Sequence, residues 1–366
     1  MFYESFRIKD FRCFEDLELT QFARMNLIAG RNNVGKTTLL EALFVHSGVC
    51  NPSLIMTIDG IRGLGNKKVE LGSWAGTLWD FAFRNFDTSR PIVLTGEYKG
   101  GAKRTVRVRV LRKPEEIRKI SPRIMYAPED TRGQQISSPT SRETAQVLEF
   151  EYDDELGGTG TSYMVIEPGG ARIEAVPPPP YPGYYQGARG RVSPSDLADR
   201  FSKLEIKMKK ESLLRALRII EPGLKDVTLA SAGSESILYG EKSGMNRLMP
   251  LNLMGDGITR IADLVLAVAS NPNGVVLWDE IENGIHHSVL SKLWETIGEI
   301  SSEFNTQLFM TTHSFECIMA AHKAFRTADD YPFALYRLDR IGDNVKAFRY
   351  DKPLIEAAAE TGLEMR

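Results

Sequence analysis

Gly30, Gly35, Lys36 and Thr37 stand at the spacing G-x-x-x-x-G-K-[ST], the spacing of a loop that wraps phosphate oxygens in backbone N–H groups. The motif requires a strand before it and a helix after it. Met25-Asn26-Leu27-Ile28-Ala29 reads as a buried strand, and Thr38-Leu39-Leu40-Glu41-Ala42-Leu43-Phe44 has helical spacing. A helix start adds its positive dipole end to the cradle. Lys36 is expected at the β- and γ-phosphates, and the Thr37 hydroxyl on Mg²⁺. The loop residues Gly30, Asn32, Asn33, Val34, Gly35, Lys36, Thr37 and Thr38 are thus candidates for binding a nucleoside triphosphate.

A second set of residues fits the same chemistry. Gly274-Val275-Val276-Leu277-Trp278-Asp279-Glu280 is an apolar run ending in two acids. A buried parallel strand reads this way, and its carboxyl end is where α/β folds place their chemistry. Asp279 is expected to hold the Mg²⁺ shell opposite Thr37, and Glu280 to act as general base toward the attacking water. Gln307-Leu308-Phe309-Met310-Thr311-Thr312-His313 is another apolar strand ending in a histidine, after one intervening helix over 288–300. An imidazole there could contact the γ-phosphate or the water. Gly255-Asp256-Gly257 precedes the helical run Ile261-Ala262-Asp263-Leu264-Val265-Leu266-Ala267 and offers a further set of N–H groups to an anion.

These parts need elements to position them. Phe6–Phe11 alternates like a strand with Leu17–Thr20 as hairpin partner, Pro91–Tyr98 pairs with Thr105–Val110 near Lys99-Gly100-Gly101, and Leu148–Tyr152 pairs with Ser162–Ile166 around Gly157-Gly158. Residues 51–86, including Gly72–Trp79, read as short helices and loops. The span 100–195 is expected as an irregular β/loop insertion. Its stretch 168–195, with Pro177-Pro178-Pro179-Pro180 near the centre, favours an extended or mobile segment over packed structure. A helical lobe follows over 196–222 and stops at Glu221-Pro222-Gly223. Phe333–Leu338 and Val345–Tyr350 form an expected strand pair within 330–366, followed by a short helix.

The chain has 366 residues, a net charge of −2, 42% hydrophobic and 26% charged residues, which is the composition of a soluble globular protein. No global basic footprint announces nucleic acid. Cys13, Cys50 and Cys317 lack metal-ligand spacing. No window approaches the roughly 18 apolar residues of a membrane span, and the N-terminus has no charged leader followed by an apolar run. The expectation is a cytoplasmic protein with no membrane partner.

In this order the four pieces resemble the ABC-type ATPase heads of the SMC and RecF class. They are most similar to the ATPase domain of the OLD (overcoming lysogenisation defect) family and its stand-alone AAA-type relatives. Phe6–Phe14 is similar to that class's opening strand, which implies Arg12 as a further nucleotide contact. Gly255-Asp256-Gly257 falls where the signature motif lies, Asp279–His286 resembles the Walker B and D-loop stretch, and Thr311–Ser314 the switch-histidine stretch. The resemblance implies an α/β P-loop NTPase fold: one ATPase domain over 1–366 with a mixed central sheet, an N-terminal antiparallel β subdomain and a small helical lobe. It also implies ATP and Mg²⁺ as cofactors, and a homodimer or higher homo-oligomer in which Gly257 of one copy closes on the phosphate held by Lys36 of another. The signature's usual serine is replaced by Gly255, and no glutamine is evident for the loop that meets the metal, Gln134 and Gln135 being the ones considered. Roughly 50 residues follow His313, too few for the TOPRIM nuclease of OLD enzymes. The function implied is an ATPase sensor or scaffold for a separate effector protein, such as a TOPRIM-type or other nuclease, in anti-phage defence.

Two other functions fit the sequence. One is a DNA-repair or chromosome-associated ATPase that binds duplex DNA through Arg107 and Arg109 on one strand face and through Lys203, Lys207, Lys209 and Lys210. The other is a nucleotide-gated scaffold with negligible turnover.

Overall fold

Strands whose apolar residues alternate build two sheets that face each other across one helix. The computed structural model describes residues 2–365 except 50, 64–78, 114, 118, 119, 121–145, 168, 169, 174–178, 180, 191, 233, 234, 362 and 363. The first half of the chain contains β1 (Tyr3–Phe11), β2 (Phe14–Thr20), β3 (Met25–Gly30), α1 (Lys36–Ser47), α2 (Ser53–Ile61), β4 (Ile92–Tyr98), β5 (Lys103–Leu111), β6 (Gln146–Asp154), β7 (Gly158–Glu167), β8 (Gly170–Ile173) and β9 (Gly183–Gln186). Next come α3 (Pro194–Ile206), α4 (Lys210–Ile220), β10 (Leu224–Ala232), β11 (Glu235–Lys242), β12 (Met249–Pro250), α5 (Asp256–Ser270) and β13 (Val275–Trp278). The chain closes with α6 (His287–Glu303), β14 (Gln307–Thr311), α7 (Phe315–Phe325), β15 (Phe333–Ile341), β16 (Asn344–Tyr350) and α8 (Lys352–Thr361).

The central sheet has the order β16-β15-β3-β14-β13-β9. All its strands run parallel except β16, which returns from β15 as a hairpin. Because successive side chains leave a strand on opposite faces, its residues divide between two cores. Leu27, Val276, Trp278, Leu308 and Met310 pack with α5, α6 and α7. Ile28, Val275, Leu277 and Phe309 pack with α1 and the antiparallel sheet β2-β1-β4-β5-β6-β7-β8. Enclosed on both sides, α1 is buried at ten of its twelve positions, Glu41 and His46 included. The phosphate-loop helix is therefore an axle of the fold. A three-stranded sheet, β10-β11-β12, sits with α3 and α4 as the smaller lobe.

Two expectations are corrected. The span 100–195 is not an irregular insertion: β5, β6, β7 and β8 are consecutive strands of the antiparallel sheet, with β5 and β6 in unbroken register from Arg104↔Asp154 to Leu111↔Val147. The run 168–195 is not merely extended or mobile, since β9 forms the edge of the central sheet, parallel to β13 from Val275↔Gly183 to Trp278↔Gln186. A Cβ on Gly183 would stand 2.4 Å from Ser47 Oγ, so the glycine that reads as a breaker is what lets this strand approach α1. The expected strand pair within 330–366 is β15 with β16, from Leu335↔Tyr350 to Ile341↔Asn344, and β15 also pairs with β3 along Met25–Gly30. Gly72–Leu78, Pro177, Pro178 and Pro180 lie outside the described residues.

A buried polar network fixes the antiparallel sheet to α1. Tyr3 Oη donates to His46 Nδ1 (2.8 Å), and His46 Nε2 stands 3.1 Å from the Arg104 carbonyl. A carbonyl only accepts, so the proton is on Nε2. Gln307 ties the two sheets by accepting from Tyr3 N (2.8 Å) and donating to Tyr3 O (3.0 Å). Burial first, and the nearby Arg104 charge second, push the His46 imidazole down to about 3 from the usual 6.5. In the unfolded chain His46 takes up a proton near its ordinary value, whereas the folded protein refuses it until about pH 3. This contribution is therefore complete above pH 6.5 and is lost as pH falls toward 3, by roughly 1.4 kcal/mol per pH unit. Between pH 7 and pH 5 the native protein is expected to lose about 2 kcal/mol more stability than His46→Gln. Urea unfolding at the two pH values checks this, and equal losses would remove His46 as the cause.

Candidate functional site

The phosphate loop forms because its residue types permit its backbone. Gly30 and Gly35 have φ of 141° and 108°, and Asn33 has φ 62°, conformations that glycine reaches freely and asparagine more readily than most residues. The loop is also clasped. A Cβ on Gly30 would lie 2.6 Å from Leu338 O, and one on Gly35 would lie 2.7 Å from the Phe14 ring. Asn32 and Asn33 are exposed at the loop tip, Val34 is buried beneath it, and Arg340 Nη2 donates to Asn33 O (3.4 Å). Lys36 Nζ reaches back across the loop to Gly30 O (2.7 Å) and Arg31 O (3.1 Å). Burial lowers the pKa of this ammonium, while Asp279, Glu280 and Glu282 oppose the shift.

β13 and β14 deliver the other half. The Thr37 hydroxyl donates to Asp279 Oδ2 (2.9 Å), and the Thr311 hydroxyl donates to Asp279 Oδ1 (2.5 Å). Thr311 Oγ1 also accepts from Glu280 N (2.8 Å). Glu280 has φ 52°, left-handed for a residue with a Cβ, a strained backbone of the kind that gathers at functional sites. Asn283 Nδ2 donates to Glu280 Oε2 (2.5 Å), and His313 Nδ1 stands 3.8 Å from Glu280 Oε1. Lys36, Thr37, Asp279, Glu280 and His313 are thus brought to one end of the parallel sheet from three separate segments.

The signature-like turn lies on the D-loop. Gly255, with φ 122°, caps α5, and a Cβ on Gly257 would stand 2.6 Å from Gly284 O. Asp256 and Gly255 are exposed. Arg260, one turn further, donates to Asp279 O (3.1 Å) and Glu280 O (2.7 Å), with its guanidinium 5.5 Å from the Trp278 ring centroid. The sequence reading quoted Arg260 without giving it a role, since only the fold shows which carbonyls it reaches.

Arg12 Nη2 donates to Asp59 Oδ1 (2.8 Å), and its Nε lies 3.3 Å from Glu41 Oε2. Arg62 grips the same Glu41 through two hydrogen bonds of 2.6 and 2.9 Å and approaches Thr38 Oγ1 at 3.5 Å. Arg12 is therefore bound into a charge network beside α1. Burial raises the Glu41 pKa, and the two arginines oppose that shift.

Gln186 was missed. It ends β9, next to the acidic strand, and its carbonyl accepts from Asp279 N (2.9 Å) while its side chain donates to Gly190 O (2.6 Å). Gln134 and Gln135 lie outside the described residues. Nothing in a Gly-, Pro- and Tyr-rich run marks a glutamine as the neighbour of Asp279; only strand order does.

Four of the six basic groups considered for DNA carry acidic partners. Arg109 pairs with Glu149, and Arg107 lies 3.9 Å from Glu151. Lys209 pairs with Glu303 (2.8 Å) and Lys210 with Asp226 (2.9 Å).

A family model described as "AAA ATPase domain" matches residues 1–152, and one described as "AAA domain, putative AbiEii toxin, Type IV TA system" matches residues 184–318. The fold is that of a P-loop, ABC-type ATPase. The chain is 26% identical over 357 residues to an "ATP/GTP phosphatase" of Helicobacter pylori, with 89% of each chain covered. Among solved structures it is similar to an SMC head bound to the C-terminal winged-helix domain of ScpA (14% identity, TM-score 0.48, covering 98% of this chain and 100% of that one). It is also similar to the SMC head domain from Thermotoga maritima (12% identity, TM-score 0.41, covering 96% and 100%). Among the described residues of this ATPase, no helix is long and apolar enough to cross a membrane.

Proposed function

We propose that this ATPase cleaves the β–γ anhydride of ATP at a site shared between two copies of the chain and reports its nucleotide state to a separate effector protein. The observation that carries the reading is the hydrogen-bonded chain Thr37–Asp279–Thr311 with Glu280 beside it. A hydroxyl and a carboxylate 2.9 Å apart, each anchored on a different element, are hard oxygen donors of the kind Mg²⁺ selects. Thr37 and Asp279 would hold Mg²⁺, which supplies charge neutralisation at the β- and γ-oxygens when bound. Lys36, already spanning the loop, binds the same phosphates. Glu280 accepts the proton of the attacking water, with Asn283 and Thr311 fixing its carboxylate and backbone. His313 contacts the γ-phosphate or the attacking water from the next strand, and Gln186, at the end of β9, would lie beside the residues that hold the metal.

Gly255 and Asp256 are exposed, and among the described residues no hydrogen bond joins them to the phosphate loop of their own chain. This supports closure of Gly255-Asp256-Gly257 on the nucleotide of a second copy, with hydrolysis coupled to opening. The finer kinship with OLD-type ATPases, a cytoplasmic location and a role in anti-phage defence rest on the order of the motifs and on the toxin–antitoxin description of the matching 184–318 model. The effector this reading names is of nuclease type, a TOPRIM nuclease among the candidates. Direct duplex DNA binding draws no support from the ion-paired arginines and lysines.

The test uses Glu280→Gln as a trap. With ATP and Mg²⁺ its mass by light scattering is expected to double, and EDTA is expected to return it to the nucleotide-free value. An unchanged mass with bound ATP would sink the shared-site reading. Salt-sensitive binding of plain duplex DNA by the same protein would favour the DNA-associated function instead.

A further inference from the structure

We propose that Glu282 positions His313, holding its imidazole through Nδ1–H and leaving Nε2, on the opposite edge of the ring, as an acceptor facing the attacking water. The proposal rests on the role given to His313 above. Glu282 lies three residues beyond Asp279, in the segment between β13 and α6, and takes no part in the chemistry described so far. Its Oε1 accepts from Thr312 Oγ1 (2.8 Å) and from His313 N (3.0 Å). Its Oε2 is buried and has no hydrogen-bond partner among the described residues. The side chain is 12% exposed, whereas that of His313 is 48% exposed and free to turn.

A buried carboxylate oxygen with no donor is costly, and such a group in a native structure calls for a partner. His313 Nδ1 lies 3.6 Å from Glu282 Oε1 and 3.8 Å from Glu280 Oε1. Oε1 of Glu282 already accepts two donors, while Oε2 accepts none. The pairing we propose turns the ring so that Nδ1–H meets the open oxygen. A carboxylate so placed fixes both the tautomer and the orientation of an imidazole, as partners of functional histidines commonly do. The dyad also lies within electrostatic reach of the phosphate loop, because Glu282 is among the acids that oppose the lowered pKa of Lys36.

A merely structural role would be to clip the Thr312–His313 turn. Glu282→Gln separates the two roles, since its amide oxygen can still accept from Thr312 and His313 N while the charge is gone. We expect Glu282→Gln to keep a thermal midpoint close to wild type and an unchanged KM for ATP, with kcat lowered roughly tenfold or more. The double variant Glu282→Gln/His313→Ala is expected to be no slower than His313→Ala, because two residues acting as a unit are not additive. The deciding measurement is the ¹⁵N spectrum of histidine-labelled protein. It has five histidines, and His313 is assigned by its loss in His313→Ala. His313 is expected as the Nδ1–H form in the wild type and not in Glu282→Gln. An Nε2–H form in the wild type, or a wild-type kcat in Glu282→Gln, overturns the proposal. The spectrum is taken without nucleotide, so it reads the pair even if Glu280→Gln proves fully active and the hydrolytic site itself has been misread.

Discussion

Glu280→Gln is expected to slow ATP hydrolysis by roughly two to three orders of magnitude while leaving nucleotide affinity near wild type. Glutamine keeps the volume and one acceptor, so the contact with Asn283 Nδ2 can persist. The left-handed backbone at Glu280 stays pinned by Thr311 and by Arg260. What is lost is the basic oxygen that takes the water's proton. Lys36, Thr37 and Asp279 are untouched, so binding is retained. Lys36→Ala is expected to lose affinity and turnover together, because its ammonium contacts the phosphates before and during the reaction. Steady-state phosphate release and titration with a fluorescent ATP analogue separate the two patterns. Hydrolysis by Glu280→Gln within threefold of wild type would remove it as the base and favour a nucleotide-gated scaffold with little turnover.

The largest expected effect on stability lies away from the nucleotide. Arg104, fully buried on β5, donates to Asp154 Oδ2 through Nε (2.8 Å) and Nη2 (2.6 Å), and its guanidinium lies near the Tyr98 and Tyr181 rings at 5.3 and 5.4 Å. Arg104→Ala removes one partner and strands Asp154, itself 3% exposed. Leaving a buried charge uncompensated costs about 3–5 kcal/mol. Arg104→Met combined with Asp154→Leu removes both charges at similar volume and is expected to recover most of that loss. Urea unfolding of the two variants decides. A cost below about 1 kcal/mol for Arg104→Ala would mean that the pair is far better hydrated than its burial indicates.

How much of this was legible in the chain depended on whether the deciding contacts were local. The phosphate loop was legible because its parts are contiguous: Gly30 and Gly35 take backbone angles that few other residues take, and Lys36 opens the helix that follows. Asp279 and Glu280 were legible because an apolar run stops at them and a buried strand must end where its polar residues begin. The hairpins were legible because alternation and glycine turns fix register between neighbours in sequence.

Tertiary structure decided what depended on distant partners. The segment containing Gln186 read as loop because Gly183 and the surrounding prolines are breakers in isolation, yet against β13 and Ser47 they make a strand. The family resemblance of Phe6–Phe14 implied Arg12 as a nucleotide contact. Glu41 and Asp59, 29 and 47 positions away in sequence, pair with its guanidinium. The free oxygen of Glu282 and its distance from His313 exist only once β13 and β14 lie side by side. By itself the sequence determined the backbone of the phosphate loop and the chemistry its residues could carry. The fold alone decided which charges are already paired and which remain open, because an ion pair or a hydrogen bond depends on distances that sequence separation does not fix.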